Sequence, residues 1–292
     1  MRERLDIVSL RDLEFRLGIP RHLLRQAASK AGSYYCPFLK ATRAKERRID
    51  NPTGLLKEIQ KAIQRHLLGP LAQPEYLHGG IKHRSPTTNA LQHVANHIVV
   101  RLDIGNFFPS VTPKHVYAVW HKLLGCSPRI AGLLTKLTTF ERHLPQGSPA
   151  STSLANLALD RADRAIHTLA AAKGLKFTRF VDDIVFSGPC SLFVVNDTVL
   201  VLRAAGFRVP HRKLMVMGRD REQVVTGLKV NSKLNVPHSR VSRIRAAIHQ
   251  LKMHAEGVSD GAKAQRSIHA RIAQVERINP GIARSLRRLV SG

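Results

Sequence analysis

Apolar residues along this chain follow two rhythms, one helical and one extended. Leu10, Leu13, Leu17, Leu23 and Leu24 give residues 1–30 a helical pattern. Residues 34–52 are basic and interrupted by Pro37 and Pro52, which fits two short strands around a loop. Thr53 stands where it can cap a helix with a buried stripe of Leu55, Leu56, Ile59, Ile63 and Leu67, ended by Gly69 and Pro70. Residues 71–90 read as loop. Ile98, Val99, Val100 and Leu102 form an apolar run that reads as a buried strand ending at Asp103. Helices are expected over 113–124 and 128–138. A long one follows over 149–172, with Leu154, Leu157, Ala158, Ala162, Ile166 and Leu169 on one face. Residues 177–181 and 184–186 flank Asp182-Asp183 as a hairpin with its acids at the bend. Further strands are expected near 214–217 and 224–230. Beyond Pro237 the pattern is helical, with one stripe of Val241, Ile244, Ile248 and Leu251 and another of Ile282, Leu286 and Leu289. Two strand–helix units joined into one antiparallel sheet predict an α+β, ferredoxin-like core followed by an all-helical segment.

Charge adds the first functional constraint. Lys and Arg total 47 against 20 Asp and Glu, a formal net charge of +27. Such an excess opposes compaction unless a polyanion offsets it. Nucleic acid is the usual polyanion, because its phosphates release counterions as Lys and Arg approach. The basic residues run along the whole chain, both ends included, which suits a channel or cleft lined from several segments. With 292 residues, 43% of them hydrophobic, the chain can build one large or two smaller domains. Cys36, Cys126 and Cys190 lie far apart with no CxxC pair, so neither a zinc site nor a disulfide framework is expected, and a reducing compartment is. No signal-like apolar core stands at the start, and no run of about 18 apolar residues occurs. The expectation is a cytoplasmic protein without membrane contact.

Scarce acids make their positions informative. Asp103, Asp182 and Asp183 stand at the ends of apolar strands. A carboxylate in a poorly solvated place is costly unless it is paired or binds a metal. Adjacent Asp182 and Asp183 repel, and a divalent cation relieves the repulsion. Magnesium suits carboxylate oxygens together with substrate phosphates. Taken alone, Asp-Asp is most simply a turn, since Asp favours turns.

The surroundings change that reading. Phe180-Val181-Asp182-Asp183 resembles the aromatic-x-Asp-Asp box of reverse transcriptases. Residues 103–110, Asp-Ile-Gly-Asn-Phe-Phe-Pro-Ser, resemble the first catalytic motif of that family, and residues 144–149, Leu-Pro-Gln-Gly-Ser-Pro, its Pro-Gln-Gly motif. Order and spacing match, and the resemblance spans roughly residues 35–235. Residues 89–93, Asn-Ala-Leu-Gln-His, and Val225-Thr226-Gly227 resemble two short signatures of the retron branch. The family resemblance implies a right-hand polymerase, α+β, with fingers, a palm on a ferredoxin-like antiparallel sheet, and a helical thumb. It implies a helical extension at 1–34, fingers at 35–98, and a palm at 99–235 with a fingers-related helical insertion at about 113–143. The thumb is expected at 236–292.

Residue roles follow from the same resemblance. Asp103 and Asp182 would bridge two Mg2+ ions, with Mn2+ able to substitute, while Asp183 stands more peripherally and the Ile104 backbone assists. Backbone around Asn106 and Phe107 would hold the triphosphate. Phe108 would be the bulky residue that blocks a 2′-hydroxyl, favouring deoxynucleotides. Gln146 would contact the incoming nucleotide or the template backbone, and Gly147 would allow close approach. Lys213 matches the family lysine that protonates pyrophosphate. Lys40 and Arg47 resemble fingers residues that grip the triphosphate, with Arg48 as a substitute for Arg47. Asn89, His93 and Phe180 would contact nucleic acid, and Arg240, Arg243, Arg245 and Lys252 would grip duplex from the thumb.

Departures are few. Phe180 stands where the family usually has Tyr, and Gly105 and Asn106 where charged residues are frequent. His93 and His97 lack the nearby Glu of a zinc-protease pattern and read as structural or RNA-contacting. After Gly227 a thumb is expected, and a ribonuclease H domain is not. The retron signatures imply a cognate structured non-coding RNA as template and primer, and a branched RNA-linked DNA product made from deoxynucleoside triphosphates. They also imply a separately encoded effector protein in antiphage defence. Intron-type or diversity-generating reverse transcriptases, and a non-catalytic RNA-binding scaffold, are the alternatives.

Overall fold

The structure is a computed structural model that describes residues 3–41, 46–189, 191–253 and 261–291. Helices α1 (Leu10–Leu17) and α2 (Arg21–Ser29) lead into the hairpin of β1 (Tyr35–Ala41) and β2 (Glu46–Pro52), then α3 (Gly54–Ala62) and α4 (Pro86–Leu91). Strand β3 (Ile98–Asp103) is followed by α5 (Phe107–Ser110), α6 (Pro113–Ala118), α7 (Pro128–Thr138), α8 (Ser151–Ala158) and α9 (Asp160–Ala172). Next come β4 (Lys176–Phe180), β5 (Asp183–Ser187), α10 (Val195–Ala204) and β6 (Met215–Gly218). The two-residue strands β7 (Val224–Val225) and β8 (Leu228–Lys229) precede α11 (His238–Met253), α12 (Gly261–Glu276) and α13 (Pro280–Ser291).

The central sheet runs β4-β5-β3-β6, with every neighbour antiparallel. That is the order of a βαββαβ ferredoxin-like unit. Strand alternation gives the sheet two buried faces. Val100, Leu102, Phe177, Ile184 and Phe186 face the main core, which extends from Ile7 to Phe207 and includes residues of α1, α2, α3 and α7 to α10. Val99, Val185 and Met217 face a smaller core with Ala90, Val225, Leu228 and Val230. Helices α11 to α13 build a third core from Val241, Ile244, Ile248, Ile268, Ile272, Val275, Ala283 and Leu286.

Several expectations change in detail. The helix expected over 149–172 is two helices, interrupted at Leu159 (φ −91°, ψ −4°). The break places Asp160 and Asp163 in the first turn of α9, where the helix dipole favours acids. Thr53 occupies the N-cap position, but its hydroxyl donates to Tyr34 O (2.8 Å) instead of accepting from the helix. Both Ile63–Leu68 and Val119–Leu123 continue their helices as π-helical turns. Residues 76–78, expected as loop, add to the sheet edge: His78 N donates to Arg179 O and Arg179 N to Tyr76 O, both at 2.8 Å. Cys36 and Cys126 are free thiols, and Cys190 lies outside the described residues. Among the described residues, no helix is long and apolar enough to cross a membrane.

Candidate active site

Three acids meet where β3 and β5 reach the end of the sheet. Asp103 is the last residue of β3 and Asp183 the first of β5, and they are register partners. The ladder continues past them, since Ile104 N donates to Asp182 O at 2.9 Å. Asp182 occupies the turn after Val181, whose φ of +60° is the left-handed region that β-branched residues avoid. On the other side, Gly105 N donates to Arg208 O (2.8 Å), and a Cβ at Gly105 would lie 3.0 Å from Pro210 Cγ. This close approach holds the 208–210 segment, and with it Lys213, against the end of β3.

Two cations meet the acids. Lys213 Nζ pairs with Asp103 Oδ1 and lies 3.3 Å from Ile104 O. Arg101 Nε lies 3.1 Å from Asp183 Oδ1. The second pair is close but misaligned, so neither atom has a hydrogen-bond partner among the described residues. Burial pushes the Asp183 carboxyl up to about 7, with Arg101 opposing and Asp103 and Asp182 reinforcing. Burial also raises Asp182, with the charge of Asp103 adding to it. Arg47 pulls the other way on Asp182, so the β1–β2 hairpin directs positive charge at the acidic centre.

Asp103 and Asp182 are hard oxygen donors under mutual repulsion, the chemistry that a divalent cation satisfies. Among the described residues, no three His, Cys, Asp or Glu side chains already form a metal cluster. Asp103 and Asp182 are the donors whose chemistry fits such an ion, with substrate phosphates able to complete the shell.

A family model described as reverse transcriptase (RNA-dependent DNA polymerase) matches residues 38–229 and so takes in the whole acidic centre. The chain belongs to the reverse transcriptase family. Its curated relatives are retron enzymes. It is 32% identical over 216 residues to the Retron Ec86 reverse transcriptase of Escherichia coli, covering 73% of this chain and 67% of that one. It is 31% identical over 294 residues to the Retron Mx65 reverse transcriptase of Myxococcus xanthus (93% and 68%). It is 30% identical over 245 residues to the Retron Se72 reverse transcriptase of Salmonella heidelberg (strain 579083-10), spanning 83% of this chain but 61% of that relative. The fold is similar to that of telomerase from Candida albicans in complex with a TWJ fragment of telomeric RNA, with TM-score 0.53 and 10% identity over 88% of this chain and 61% of that one. The protein is thus a retron-like reverse transcriptase, an RNA-directed DNA polymerase with the right-hand polymerase fold.

Other residues singled out in the sequence of this reverse transcriptase divide into those near the centre and those turned away. Lys40 and Arg47 face each other across the β1–β2 ladder. Arg48 is engaged elsewhere, 2.8 Å from both Asp50 and Glu141, so Arg47 is the better partner for Lys40. Gln146 O accepts from Asp50 N (2.9 Å), which ties the Pro-Gln-Gly loop to β2. A Cβ at Gly147 (φ +135°) would lie 2.9 Å from Ile49 Cγ2. Asn106 opens α5 at φ +47°. Phe107 is buried against Phe207, and Phe108 beside it is half-buried. Phe180 is also half-buried, paired with Asp183 across the β4–β5 ladder.

Asn89 and His93 correct the expectation of nucleic-acid contact, because both are fully buried here. His93 Nδ1 meets Ser187 Oγ at 2.8 Å and Nε2 meets Thr178 Oγ1 at 2.7 Å, so it fastens the segment after α4 to β4 and β5. Burial drives its pKa down to about 3, which keeps the ring neutral. Thr226 (φ +45°) and Gly227 (φ +78°) form the tight turn between β7 and β8, and Thr226 Oγ1 donates to Pro86 O at 2.7 Å. Next to this turn a cleft of about 400 Å³ is lined by Arg240, Arg243 and Arg271. Arg245 and Lys252 are exposed on α11.

Sequence reasoning missed Arg101 and the buried group of Arg179, Asp163 and Asn156. Arg101 is a charged residue inside the apolar run of β3, Arg179 stands between Phe177 and Phe180, and Asp163 sits beside the apolar stripe of α9. A charge in such a place needs a partner.

Proposed function

We propose that this chain is the reverse transcriptase of a retron, copying part of a cognate structured RNA into RNA-linked single-stranded DNA. The observation that carries the reading is the meeting of Asp103 with Asp182 and Asp183 across the β3–β5 register, in a chain whose curated relatives are retron enzymes. In this reading Asp103 and Asp182 hold two Mg2+ ions, and Mn2+ can replace them. When bound, the ions activate the primer 3′-hydroxyl and offset charge on the leaving pyrophosphate. Asp183, braced by Arg101, contributes negative potential from the edge of the site.

The chain's own residues do the rest. Lys40 and Arg47 clamp the triphosphate, assisted by backbone at Ile104, Asn106 and Phe107. Phe108 closes the space that a 2′-hydroxyl needs. Gln146 and Gly147 position the nucleotide against the hairpin. Lys213, freed from Asp103, donates a proton to the pyrophosphate. Phe180 packs beside the primer end, and Arg240, Arg243, Arg245 and Lys252 grip the duplex. The regions act as fingers (35–98, after a helical extension at 1–34), palm (99–235) and thumb (236–292). An effector protein encoded separately would use the product in antiphage defence.

The test is primer extension on an RNA template with labelled deoxynucleotides and Mg2+. Asp182→Asn is expected to lower extension by at least about 1,000-fold, in keeping with loss of a metal-held transition-state contact. Phe108→Ala is expected to admit ribonucleotides. The retron assignment is tested on nucleic acid that copurifies: RNA-linked DNA that shortens after ribonuclease supports it, and intron RNA alone would refute it.

A further inference from the structure

We propose that Arg179, Asp163 and Asn156 form a buried clamp that sets the catalytic turn, and are therefore positioning residues for nucleotidyl transfer. The inference rests on Asp182 being a working carboxylate of the site.

Arg179 lies on β4, two residues before Val181, and is 0% exposed. Its guanidinium is fully engaged. Nε donates to Asp163 Oδ1 (2.8 Å) and Nη2 to Asp163 Oδ2 (2.5 Å), on α9. Nη1 donates to Asn156 Oδ1 (3.0 Å), on α8, and to the carbonyl of Val181 (2.6 Å). Asn156 Nδ2 in turn donates to Gly79 O (2.9 Å). Gly79 backs directly onto the turn, and a Cβ there would lie 2.3 Å from Val181 N and 2.9 Å from Phe180 C.

Val181 is thus held on two sides by one network. Its carbonyl is taken by Arg179, and its amide faces Gly79, which Asn156 fixes. The reason for a clamp lies in the backbone. Val181 has φ +60°, a conformation that a β-branched residue leaves readily unless its surroundings over-determine it. Leaving it would rotate the peptide that leads into Asp182, whose own carbonyl accepts from Ile104 N. A buried ion pair is a poor device for stability alone, because apolar residues of similar volume do as well. Directed donors to one carbonyl specify a single turn geometry, which apolar packing does not. None of the three side chains touches a reacting atom.

The experiment is steady-state extension with Arg179→Lys, which keeps a charge opposite Asp163 but loses the fork that reaches Asn156 and Val181. Folded Arg179→Lys protein is expected to lose about 10- to 100-fold in kcat, with KM for deoxynucleotide changed by less than about threefold, as for a misplaced rather than a missing group. Glycine adopts the left-handed region freely, so in a Val181→Gly background the same substitution is expected to cost less than about threefold. Gly79→Ala, which leaves the ion pair untouched and presses on Val181 N, should give the same kcat-selective loss and carries the test if Arg179→Lys does not fold. Wild-type kcat in the folded variants, or an equal loss with and without Val181→Gly, would overturn the clamp. Extension that persists in Asp182→Asn would instead bring down the site reading on which it rests.

Discussion

At Asp183 and His93, burial works on opposite charges and leaves opposite pH signatures. The Asp183 carboxyl moves from 3.8 up to about 7 in the folded protein. The native state therefore holds that proton more tightly, and its contribution to stability is complete below pH 4 and lost as pH climbs through 7. In metal-free buffer, denaturant titrations should show wild type losing stability relative to Asp183→Asn across that window, and parallel curves would refute the shift. His93 moves from 6.5 down to about 3. Its contribution is present above pH 6.5 and lost as pH falls toward 3, because only the unfolded chain takes up the proton. His93→Ala leaves Ser187 and Thr178 without their partner inside the sheet. It should cost about 3 kcal/mol in urea unfolding at pH 7.5, combining a cavity with unmet hydrogen bonds. A cost below about 1 kcal/mol would mean that water replaces the ring.

Among the elements, the β1–β2 hairpin depends on the loop it rests against. Gly147 accepts φ +135° and leaves room for Ile49, while Asp50 N is tied to Gln146 O. A Cβ at 147 must push the hairpin away, and Lys40 and Arg47 ride on that hairpin. Gly147→Ala is expected to raise KM for deoxynucleotide at least about tenfold with a smaller effect on kcat, the mark of lost ground-state binding. The strands that carry the acids were legible in the sequence, because 98–103 and 183–187 are apolar runs with an Asp at the end. So were helices α11 to α13 after Pro237. The break at Leu159 was not, since no Gly or Pro marks it and its sense lies in placing Asp163 opposite Arg179. Nor was the burial of Asn89 and His93, since the partners of His93, Ser187 and Thr178, are more than 80 residues away and visible only once the sheet has formed. The edge pairing of residues 76–78 was hidden for the same reason, as nothing in that loop-like stretch announces Arg179 as its partner.

For the whole molecule, a net charge of +27 makes grip on nucleic acid a matter of ionic strength. Affinity for an RNA–DNA duplex should fall linearly in a log–log plot against salt. Replacing Arg240, Arg243 or Arg271 with Gln should each lower the slope by about 1 if that residue meets a phosphate. An unchanged slope would place the duplex elsewhere than the cleft beside the β7–β8 turn. Helices α11 to α13 bury most of their apolar residues against one another, and Asn279 Nδ2 to Asn235 Oδ1 (3.0 Å) is among the links back to the body. Such a unit can melt by itself while the sheet stays intact. Calorimetry of the bare protein is therefore expected to show two heat-absorption peaks. A polyanion bound to both parts would weld them, so the merging of two peaks into one, more than any rise in midpoint, would report that a nucleic acid spans both.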